Sequence, residues 1–333
     1  MKPFMKYPGG KTKDAPFVNK YMPSNIDRYF EPFVGGGAIF FEMNCDNYYI
    51  NDYSKDLIDL YELLKNQDLK LKNYLECFNE LWKNIEANKD QKELLLKFGS
   101  SIMKYNSFYN SAYKKKKNTL NKFETKGIKI SSEDKKEMEL TARKTALYMV
   151  VRDIYNDKSI MGVLHIACYY ILREYCYSSM FRFSSKGAFN VPYGGRSYNQ
   201  KYLNDKIEYM YSSEMKEKLS KTSINNCDFE VFLKNYRYTD TDFIFLDPPY
   251  DSDFSTYDNN SFDRAEQIRL RNILSKIDGA KWMLIIKKTD FISDLYKNYF
   301  IYEYDKNYMV SFKNRNDKEV KHLLITNYEI EVK

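Results

Sequence analysis

The stretch FEPFVGGGAIFFEM, residues 30–43, contains the first signal of the fold. The aromatic run over residues 27–33 predicts a short strand. The three glycines that follow predict a turn, and AIFFEM predicts a helix. A strand that feeds glycines and then a helix lets a ligand approach the backbone at the helix start. The spacing is not GxGxxG, so it does not specify a pyrophosphate cradle. A tight turn that only packs the helix is the alternative interpretation.

An acidic residue at the end of the next strand strengthens the ligand-binding interpretation. Residues 47–51 (NYYIN) predict a second strand, which ends at Asp52. A carboxylate at the end of the second strand can accept hydrogen bonds from both hydroxyls of a ribose. Together, the glycine turn and Asp52 indicate a cofactor of the adenosine type.

A second motif, FIFLDPPY at residues 243–250, is an apolar strand that ends in Asp247, Pro248, Pro249 and Tyr250. The two prolines hold the backbone extended and rigid. An amine held between the Asp247 carboxylate and the Pro248 carbonyl would donate two hydrogen bonds and present its lone pair. Tyr250 offers a face on which a planar base can stack. The motif therefore predicts activation of an exocyclic amine on a nucleobase. A strand capped by a polyproline turn is the alternative.

Strands and helices alternate at both ends of the chain, which predicts an α/β fold with a parallel sheet. The later elements are a strand SINNCDF, a helix EVFLKNY, the strand of DFIFLDPPY, a helix RAEQIRLRNILSKI, a strand KWMLIIKK and a terminal hairpin of YMVSF with KHLLITNY. A helical, basic and aromatic block interrupts this alternation. We therefore expect one α/β domain from residues 1–60 and 204–333, with a second domain inserted over 61–203.

The inserted block has three predicted parts. Leucines and aromatics at helical spacing over residues 57–85 predict core stripes. Residues 161–177 are apolar nearly all round and predict a buried helix in which His165 is a core residue. FRFSSKGAFNVPYGGRSY, residues 181–198, predicts a β-hairpin.

Composition limits the function further. The chain has 333 residues, 53 basic and 46 acidic, and a net charge of +7. It shows no long apolar run and no signal peptide, and its five cysteines are scattered. We therefore expect reduced thiols, a cytoplasmic protein and no membrane partner. The excess of lysine and tyrosine fits an AT-rich genome, or a surface that meets nucleic acid.

The excess positive charge has one conspicuous location. Residues 104–150 contain 12 basic and 5 acidic residues, so this segment alone carries +7. A solvated loop or arm is one interpretation, and a nucleic-acid contact arm is the other.

EPFVGGGAIF, DPPY and the N-terminal KYPGGK (residues 6–11), in this order, resemble the Dam-like DNA adenine N6-methyltransferases (D12 class, α group). The resemblance spans nearly the whole chain. It implies a Rossmann-like S-adenosylmethionine-dependent methyltransferase domain with an inserted helical and hairpin target-recognition domain. It also implies the cofactor-binding residues Tyr7, Lys11, Glu31, Phe33, Gly35, Gly36, Gly37, Asp52, Asp228, Phe229 and Asp247.

In that family the target adenine is flipped out of double-stranded DNA and held by the residues that match Asp247, Pro248, Pro249 and Tyr250 here. The resemblance thus implies a site-specific, adenine-specific DNA methyltransferase that uses S-adenosylmethionine and no metal. A base inside a duplex is unreachable, so it must be flipped out. The enzyme then mainly needs to orient nitrogen and methyl.

The hairpin at 181–198 is similar to the family's recognition hairpin, which reads GATC. GATC is therefore one candidate sequence, although Ser184 stands where the family has Asn. The DNA-contact candidates are Arg182, Lys186, Asn190, Pro192, Tyr193 and Arg196. Residues 311–316 predict either a phosphate-contacting turn or a solvated loop. An N4-cytosine methyltransferase, an RNA N6-adenine methyltransferase and a non-catalytic DNA-binding relative are the alternatives. We expect no obligate protein partner.

Overall fold

The computed structural model describes residues 1–7, 9–11, 14–249, 262–306 and 320–330. Its strands are β1 (Arg28–Glu31), β2 (Asn47–Asn51), β3 (Thr222–Asn225), β4 (Asp242–Leu246), β5 (Lys281–Lys287), β6 (Phe300–Lys306) and β7 (Val320–Thr326). Its helices are α1 (Ala15–Lys20), α2 (Lys55–Lys65), α3 (Leu69–Glu86), α4 (Lys92–Lys97), α5 (Ile102–Glu124), α6 (Ser132–Asn156), α7 (Val163–Tyr175), α8 (Asn204–Met210), α9 (Ser213–Ser220), α10 (Phe229–Lys234), α11 (Arg264–Leu274) and α12 (Asp290–Leu295). Two short 3-10 turns span Tyr177–Ser179 and Arg196–Tyr198.

The strands form one seven-stranded sheet in the order β3-β2-β1-β4-β5-β7-β6. Strands β1 to β5 are parallel, β7 is antiparallel to β5, and β6 is antiparallel to β7. The predicted α/β fold is confirmed. The terminal hairpin pairs β6 with β7, whereas its predicted first strand, YMVSF, lies outside the described residues.

The central strands are parallel because their sequences allow both faces to be buried. All five residues of β4 are buried, as are five consecutive residues of β5. Parallel strands covered on both faces read as continuous apolar runs rather than as alternating ones. Burial of a large apolar side chain is worth about 1.5–3 kcal/mol. The apolar runs of β4 and β5 therefore place these two strands in the buried middle of the sheet.

The chain divides into two compact units. The first contains residues 1–3, 9–58 and 217–333, and the second contains residues 4–8 and 59–216. The inserted domain was expected to end at residue 203, but α8 belongs to the second unit. The start of α8 is hydrogen-bonded to α3, because the Asn79 amide donates to Asn204 Oδ1 at 2.9 Å. Leu203 N in turn donates to Asn79 Oδ1 at 2.8 Å.

The core of the second unit is helical and aromatic. The predicted stripe of α3 is buried, and Trp82 packs against Tyr175 of α7 with ring centroids 4.6 Å apart. Residues 166–175 of α7 are buried all round, as predicted. The N-terminal segment joins this core through Phe4, which is 1% exposed and meets Tyr61 edge-to-face at 5.2 Å. The unit is therefore assembled from two separate pieces of sequence.

One local prediction was wrong. AIFFEM is a series of turns, since its backbone bonds mix three-residue and four-residue steps, from Gly37 N to Val34 O and from Phe41 N to Gly37 O. The consecutive residues Phe40 and Phe41 are both buried in the core. Residues 104–150, for which a solvated loop or arm and a nucleic-acid contact arm were the two interpretations, lie in a helical hairpin of α5 and α6. Ser101 and Ser131 cap these helices by accepting from Lys104 N at 3.2 Å and Asp134 N at 3.0 Å.

No helix in the described ranges is both long and apolar enough to cross a lipid bilayer.

Candidate active site

The carboxyl ends of β1 and β4 meet at the centre of the sheet. From β1 the chain continues to β2 and β3 on one side, whereas β5 and the β6–β7 hairpin lie beyond β4 on the other. Ligands of open α/β sheets bind outside the carboxyl ends of the strands at such a reversal of strand order. The residues that follow β1, β2, β3 and β4 therefore form the candidate site.

The glycine turn after β1 is held by the acid after β2. Gly35 N donates to Asp52 Oδ2 at 3.0 Å, and Ser54 N donates to Asp52 Oδ1 at 2.9 Å. Gly35 and Gly37 have φ values of 49° and 71°, a backbone conformation that favours glycine. Asp52 therefore anchors the glycine turn to the residues after β2 through carboxylate oxygens that each have two lone pairs.

Asn51, which was not identified from the sequence, connects the ends of β1, β2 and β3 through hydrogen bonds. Its amide donates to Pro32 O and to Cys227 O, both at 3.0 Å, and its Oδ1 accepts from Cys227 N at 3.0 Å. The side chain is 1% exposed. Its only signal in the sequence is a polar residue that directly precedes Asp52 at the strand end.

Glu31, the last residue of β1, is a buried carboxyl group. It is 2% exposed, and the Tyr29 hydroxyl donates to its Oε2 at 2.7 Å. Burial raises the pKa of Glu31 well above its ordinary value, and the nearby Asp247 carboxylate raises it further. A cationic group that enters this site would stabilise the ionised form of Glu31.

Lys11 and Asp247 form an ion pair between two motifs that lie far apart in sequence. Lys11 Nζ pairs with Asp247 Oδ1 and also donates to Gly9 O at 3.4 Å. The Lys11 side chain is 2% exposed and that of Asp247 is 20% exposed. The structure thus brings together the last residue of KYPGGK and the first of DPPY.

The two prolines after Asp247 differ in environment. Pro248 is buried and Pro249 is exposed, and Pro249 O accepts from Gln267 Nε2 at 3.3 Å. Gln267, on α11, is fully buried. No sequence motif indicates a role for Gln267, which occupies the apolar stripe of α11 together with Leu270 and Leu274. Tyr250 lies outside the described residues.

Three phenylalanines form an apolar surface beside the glycine turn. Phe33 lies 5.4 Å from Phe229 and 5.6 Å from Phe262, measured between ring centroids. The Phe229 and Phe262 rings are also 5.6 Å apart. Phe262 was not anticipated from the sequence. The cluster offers aromatic faces and edges to a planar ligand.

Asp228 caps α10 and belongs to a charged cluster. Its Oδ1 accepts from Glu230 N at 2.9 Å, and its Oδ2 pairs with Arg269. Arg269 also contacts Glu230 at 2.9 Å and lies 4.4 Å from the centroid of the Phe229 ring. Asp228 therefore orients the start of α10, where Phe229 stands.

Tyr7 belongs to the second unit. Its ring faces the Arg173 guanidinium at 4.6 Å, and the same guanidinium lies 3.6 Å from the centroid of Phe181. Arg173 is 1% exposed. The KYPGGK motif is therefore divided between the two units, and the cofactor role expected for Tyr7 stays a prediction.

The hairpin at 182–190 is short. Ser184 N donates to Ala188 O at 2.8 Å and Asn190 N donates to Arg182 O at 3.2 Å, which closes a turn at Lys186 and Gly187. Asn190 Oδ1 accepts from Arg182 Nε at 3.1 Å. Four of the predicted DNA contacts are exposed, namely Arg182, Lys186, Pro192 and Arg196.

Tyr193 does not share this exposure. It is 8% exposed, its hydroxyl donates to Asn199 Oδ1 at 2.9 Å, and its ring packs on Trp82 with a centroid separation of 5.6 Å. Phe181 and Phe189 are also buried. The family motif marks Tyr193 as a contact, but packing places it in the core, so we leave it out of the proposed DNA surface.

The sheet order and the residues after its strands are those of a Rossmann-like methyltransferase. The family model of the D12 class N6 adenine-specific DNA methyltransferases matches residues 7–310. The chain therefore belongs to this family of DNA adenine methyltransferases.

Named relatives agree with this assignment. The chain is 27% identical to the type II methyltransferase M.CviBI of Paramecium bursaria Chlorella virus NC1A, over 98% of this chain and 100% of the relative. It is 28% identical to the type II methyltransferase M1.LlaDCHI of Lactococcus lactis subsp. cremoris, over 98% and 96%. It is 24% identical to a DNA adenine methylase of Haemophilus influenzae, over 89% and 82%.

Proposed function

We propose that this protein transfers the methyl group of S-adenosylmethionine to N6 of an adenine flipped out of double-stranded DNA at a specific sequence. The first unit would be the catalytic domain and the second the target-recognition domain. The proposal rests above all on one observation. Asp247, which begins the Asp-Pro-Pro segment after β4, lies near Glu31 and pairs with Lys11 at the centre of the sheet.

The residues at the strand ends fit S-adenosylmethionine by their chemistry. Asp52 would accept from both ribose hydroxyls, and the surface of Phe33, Phe229 and Phe262 would face the adenine. Glu31 and the glycine turn would hold the methionine part, because a buried carboxyl group is stabilised in its ionised form by a cationic ligand. Bound there, S-adenosylmethionine supplies an electrophilic methyl group.

The protein's own contribution is to orient the acceptor amine. The Asp247 carboxylate and the Pro248 carbonyl would each accept one hydrogen bond from the amine, which aims its lone pair at the methyl group. The Gln267 amide fixes the carbonyl of the next residue, Pro249. Lys11 holds Asp247 before the substrate arrives, and Tyr250 would stack on the base.

Target recognition would use the exposed side of the second unit. Arg182, Lys186, Asn190, Pro192 and Arg196 are the proposed contacts with DNA, and GATC is the first sequence to test. Arginine and lysine reach guanine edges in the major groove. The names of two relatives support a role as the modification enzyme of a type II restriction-modification system.

The test uses purified protein, S-adenosylmethionine and unmethylated plasmid DNA. The product is digested to nucleosides, and N6-methyladenine and N4-methylcytosine are quantified by mass spectrometry. N6-methyladenine alone supports the proposal, and sequencing of the same DNA gives the site. N4-methylcytosine, or N6-methyladenine formed only when RNA is the substrate, would replace it with one of the alternative activities. Tight DNA binding without transfer would indicate a non-catalytic relative.

A further inference from the structure

The net positive charge of this protein lies in one short segment. Residues 104–130 contain eight basic residues and one acidic residue, Glu124. Because the whole chain has 53 basic and 46 acidic residues, the remainder has 45 of each sign. A compositional excess of lysine would spread over the surface, so its concentration here calls for a local explanation.

The segment occupies one arm of the helical hairpin. Helix α5 packs against α6, and the bonds between them run from the base to the tip. Lys104 pairs with Asp153 near the base, and Lys135 pairs with Glu124 at 3.1 Å near the tip. From residue 114 to residue 136, no side chain is fully buried. The outer half of the hairpin thus exposes its lysines to solvent on both sides of the turn, except Lys116, which is half-buried.

Among the described residues, these lysines have no acidic partners. In the described part of the chain, no ion pair involves Lys114, Lys115, Lys116, Lys117, Lys122, Lys126 or Lys129. Asp134, at the start of α6, does not neutralise them, since its carboxylate contacts Arg196 and accepts from the Ser131 hydroxyl at 2.8 Å. We call these seven residues the lysine arm.

The arrangement suits the phosphate backbone of a duplex. Four consecutive lysines on a helix point in directions about 100° apart, so two or more face any backbone that lies alongside. Lys114 to Glu124 spans about 15 Å at 1.5 Å per residue. Duplex DNA presents one charge per about 1.7 Å of its axis, so this length faces several phosphates.

The arm has the chemistry for positioning DNA rather than for reading its sequence. It contains no arginine, the side chain whose planar fork pairs with guanine in a bidentate way. Lysine is a hydrated point charge on a flexible stem, and such contacts fix a protein on the backbone without sequence information.

We propose that the lysine arm binds the phosphates of duplex DNA that flanks the target site, independently of sequence. This proposal builds on the proposed function, since it assigns a second DNA contact to the same enzyme. The arm holds the enzyme on long DNA, and the hairpin at 182–190 is left to read the site.

The test compares two quadruple variants that lose the same charge. One is K114Q/K115Q/K116Q/K117Q. The control is K70Q/K83Q/K89Q/K92Q, which removes four exposed lysines elsewhere in the second unit. Dissociation constants are measured between 50 and 200 mM salt for 30-base-pair duplexes with and without the methylation site. Circular dichroism of each variant confirms that the helices are intact.

For the arm variant we expect the slope of log K against log salt to decrease in magnitude by about 2–4, at about 0.9 per lost phosphate contact. Affinity at 0.1 M salt should fall by at least about tenfold, by the same factor on both duplexes. The control should change the slope by less than about 1. Methylation of a duplex that covers only the site should be nearly unchanged.

Three results would overturn the proposal: equal losses in both variants, a loss confined to the duplex with the site, or a loss seen with single-stranded RNA and not with duplex DNA. Failure of the proposed function is a separate result. Wild-type protein that makes no methyladenine, but binds duplex through the arm with the expected slope, would reject the activity and keep the arm.

Discussion

The two units each bury a glutamate, but in opposite electrostatic surroundings. Glu174 in the second unit is fully buried and meets two ammonium groups, Lys201 at 2.6 Å and Lys206 at 2.7 Å. Glu31 in the first unit is 2% exposed and lies near the Asp247 carboxylate. Lys218 lowers the pKa of Glu31 only in part, and burial lowers the pKa of Lys218 itself to about 7.

From this difference we infer that the charge of Glu174 stabilises the fold, whereas Glu31 serves to bind a ligand. Burial alone would raise the pKa of Glu174, but Lys206 and Lys201 outweigh it and hold the pKa below its ordinary value. Burial raises the pKa of Glu31 well above its ordinary value, and no neighbour reverses this. A group whose charge is only partly stabilised within the native protein gains most from a cationic ligand. Substitutions of Glu174 and Glu31 test this contrast directly, and substitutions of Asp247 and Gln267 test the site around Glu31.

The largest effect should come from Asp247→Ala. We expect methyl transfer to fall by roughly 10³-fold, because loss of one hydrogen-bonding group aimed at the reacting atoms costs about 10²–10³ in rate. The measurement is the rate of N6-methyladenine formation at saturating DNA and S-adenosylmethionine. Asp247→Asn is the control that keeps an oxygen beside Lys11, and an unchanged circular dichroism spectrum shows that the fold survives. A near-normal rate for Asp247→Ala would remove the carboxylate from the mechanism.

Glu174→Gln should destabilise the second unit by about 3 kcal/mol, since it leaves two partly buried ammonium groups without a counter-charge. Lys201 and Lys206 are 20% and 31% exposed, which keeps the loss at the lower end of the usual range. Urea unfolding measures the change. Kinetic constants of the folded variant should stay close to those of the wild type, and a selective loss of activity would contradict the structural role.

Glu174 should also make the stability of the protein depend on pH, with a defined sign. A carboxyl group whose folded pKa is lowered stabilises the native state above its unfolded pKa of about 4.3, and this stability is lost as the pH falls through the folded pKa. The wild-type protein should therefore lose part of its thermal stability below about pH 4.3, whereas Glu174→Gln should lack that component. Parallel curves for the two proteins would show that Glu174 does not titrate as we infer.

For Glu31→Gln we expect the reverse of the Glu174→Gln result: ligand binding should weaken, and stability should not decrease. The raised folded pKa means that ionisation of Glu31 opposes folding as the pH rises above about 4.3, so the neutral amide should leave stability at pH 7 equal or slightly higher. The KM for S-adenosylmethionine should increase by about tenfold, the value of one hydrogen bond to a charged group. Thermal unfolding and steady-state kinetics measure the two effects. A loss of stability like that of Glu174→Gln would abolish the contrast between the two glutamates.

The smallest effect should come from Gln267→Met. Gln267 positions the Asp-Pro-Pro segment by donating to Pro249 O, so we expect kcat to fall by roughly fivefold, about 1 kcal/mol, with KM for both substrates unchanged. Because methionine is similar in volume and Gln267 Oε1 has no hydrogen-bond partner in the described structure, stability should change little. An increase in KM without a change in kcat would assign Gln267 to binding instead.

The sequence predicts the elements whose signals are local. The apolar runs of β4 and β5 predict buried parallel strands, and the glycine turn and Asp52 fall close together in the chain. Asn51 and Gln267 escaped prediction because their roles depend on strand ends and a helix that meet only in the folded protein. The pairing of Lys11 with Asp247 bridges 236 positions, which no periodicity can indicate.

The second unit shows the same limit. The four consecutive lysines of α5 obscure helical periodicity, so the segment reads as a loop, although Ser101 and Ser131 are good helix caps. For Tyr193 the motif indicates a DNA contact, but only the packed core shows that Trp82 covers its ring.

The discontinuity of the second unit has a practical consequence for fragment complementation. Phe4 O accepts from the Tyr170 hydroxyl at 3.3 Å and from Lys206 Nζ at 3.2 Å, and Lys6 N donates to Glu174 at 3.2 Å. A polypeptide of residues 59–216 alone would leave these donors and acceptors unmatched and would open a cavity the size of Phe4. A synthetic peptide of residues 1–8 should bind in that cavity. The second unit could therefore serve as a split tag in which peptide binding restores a cooperative fold.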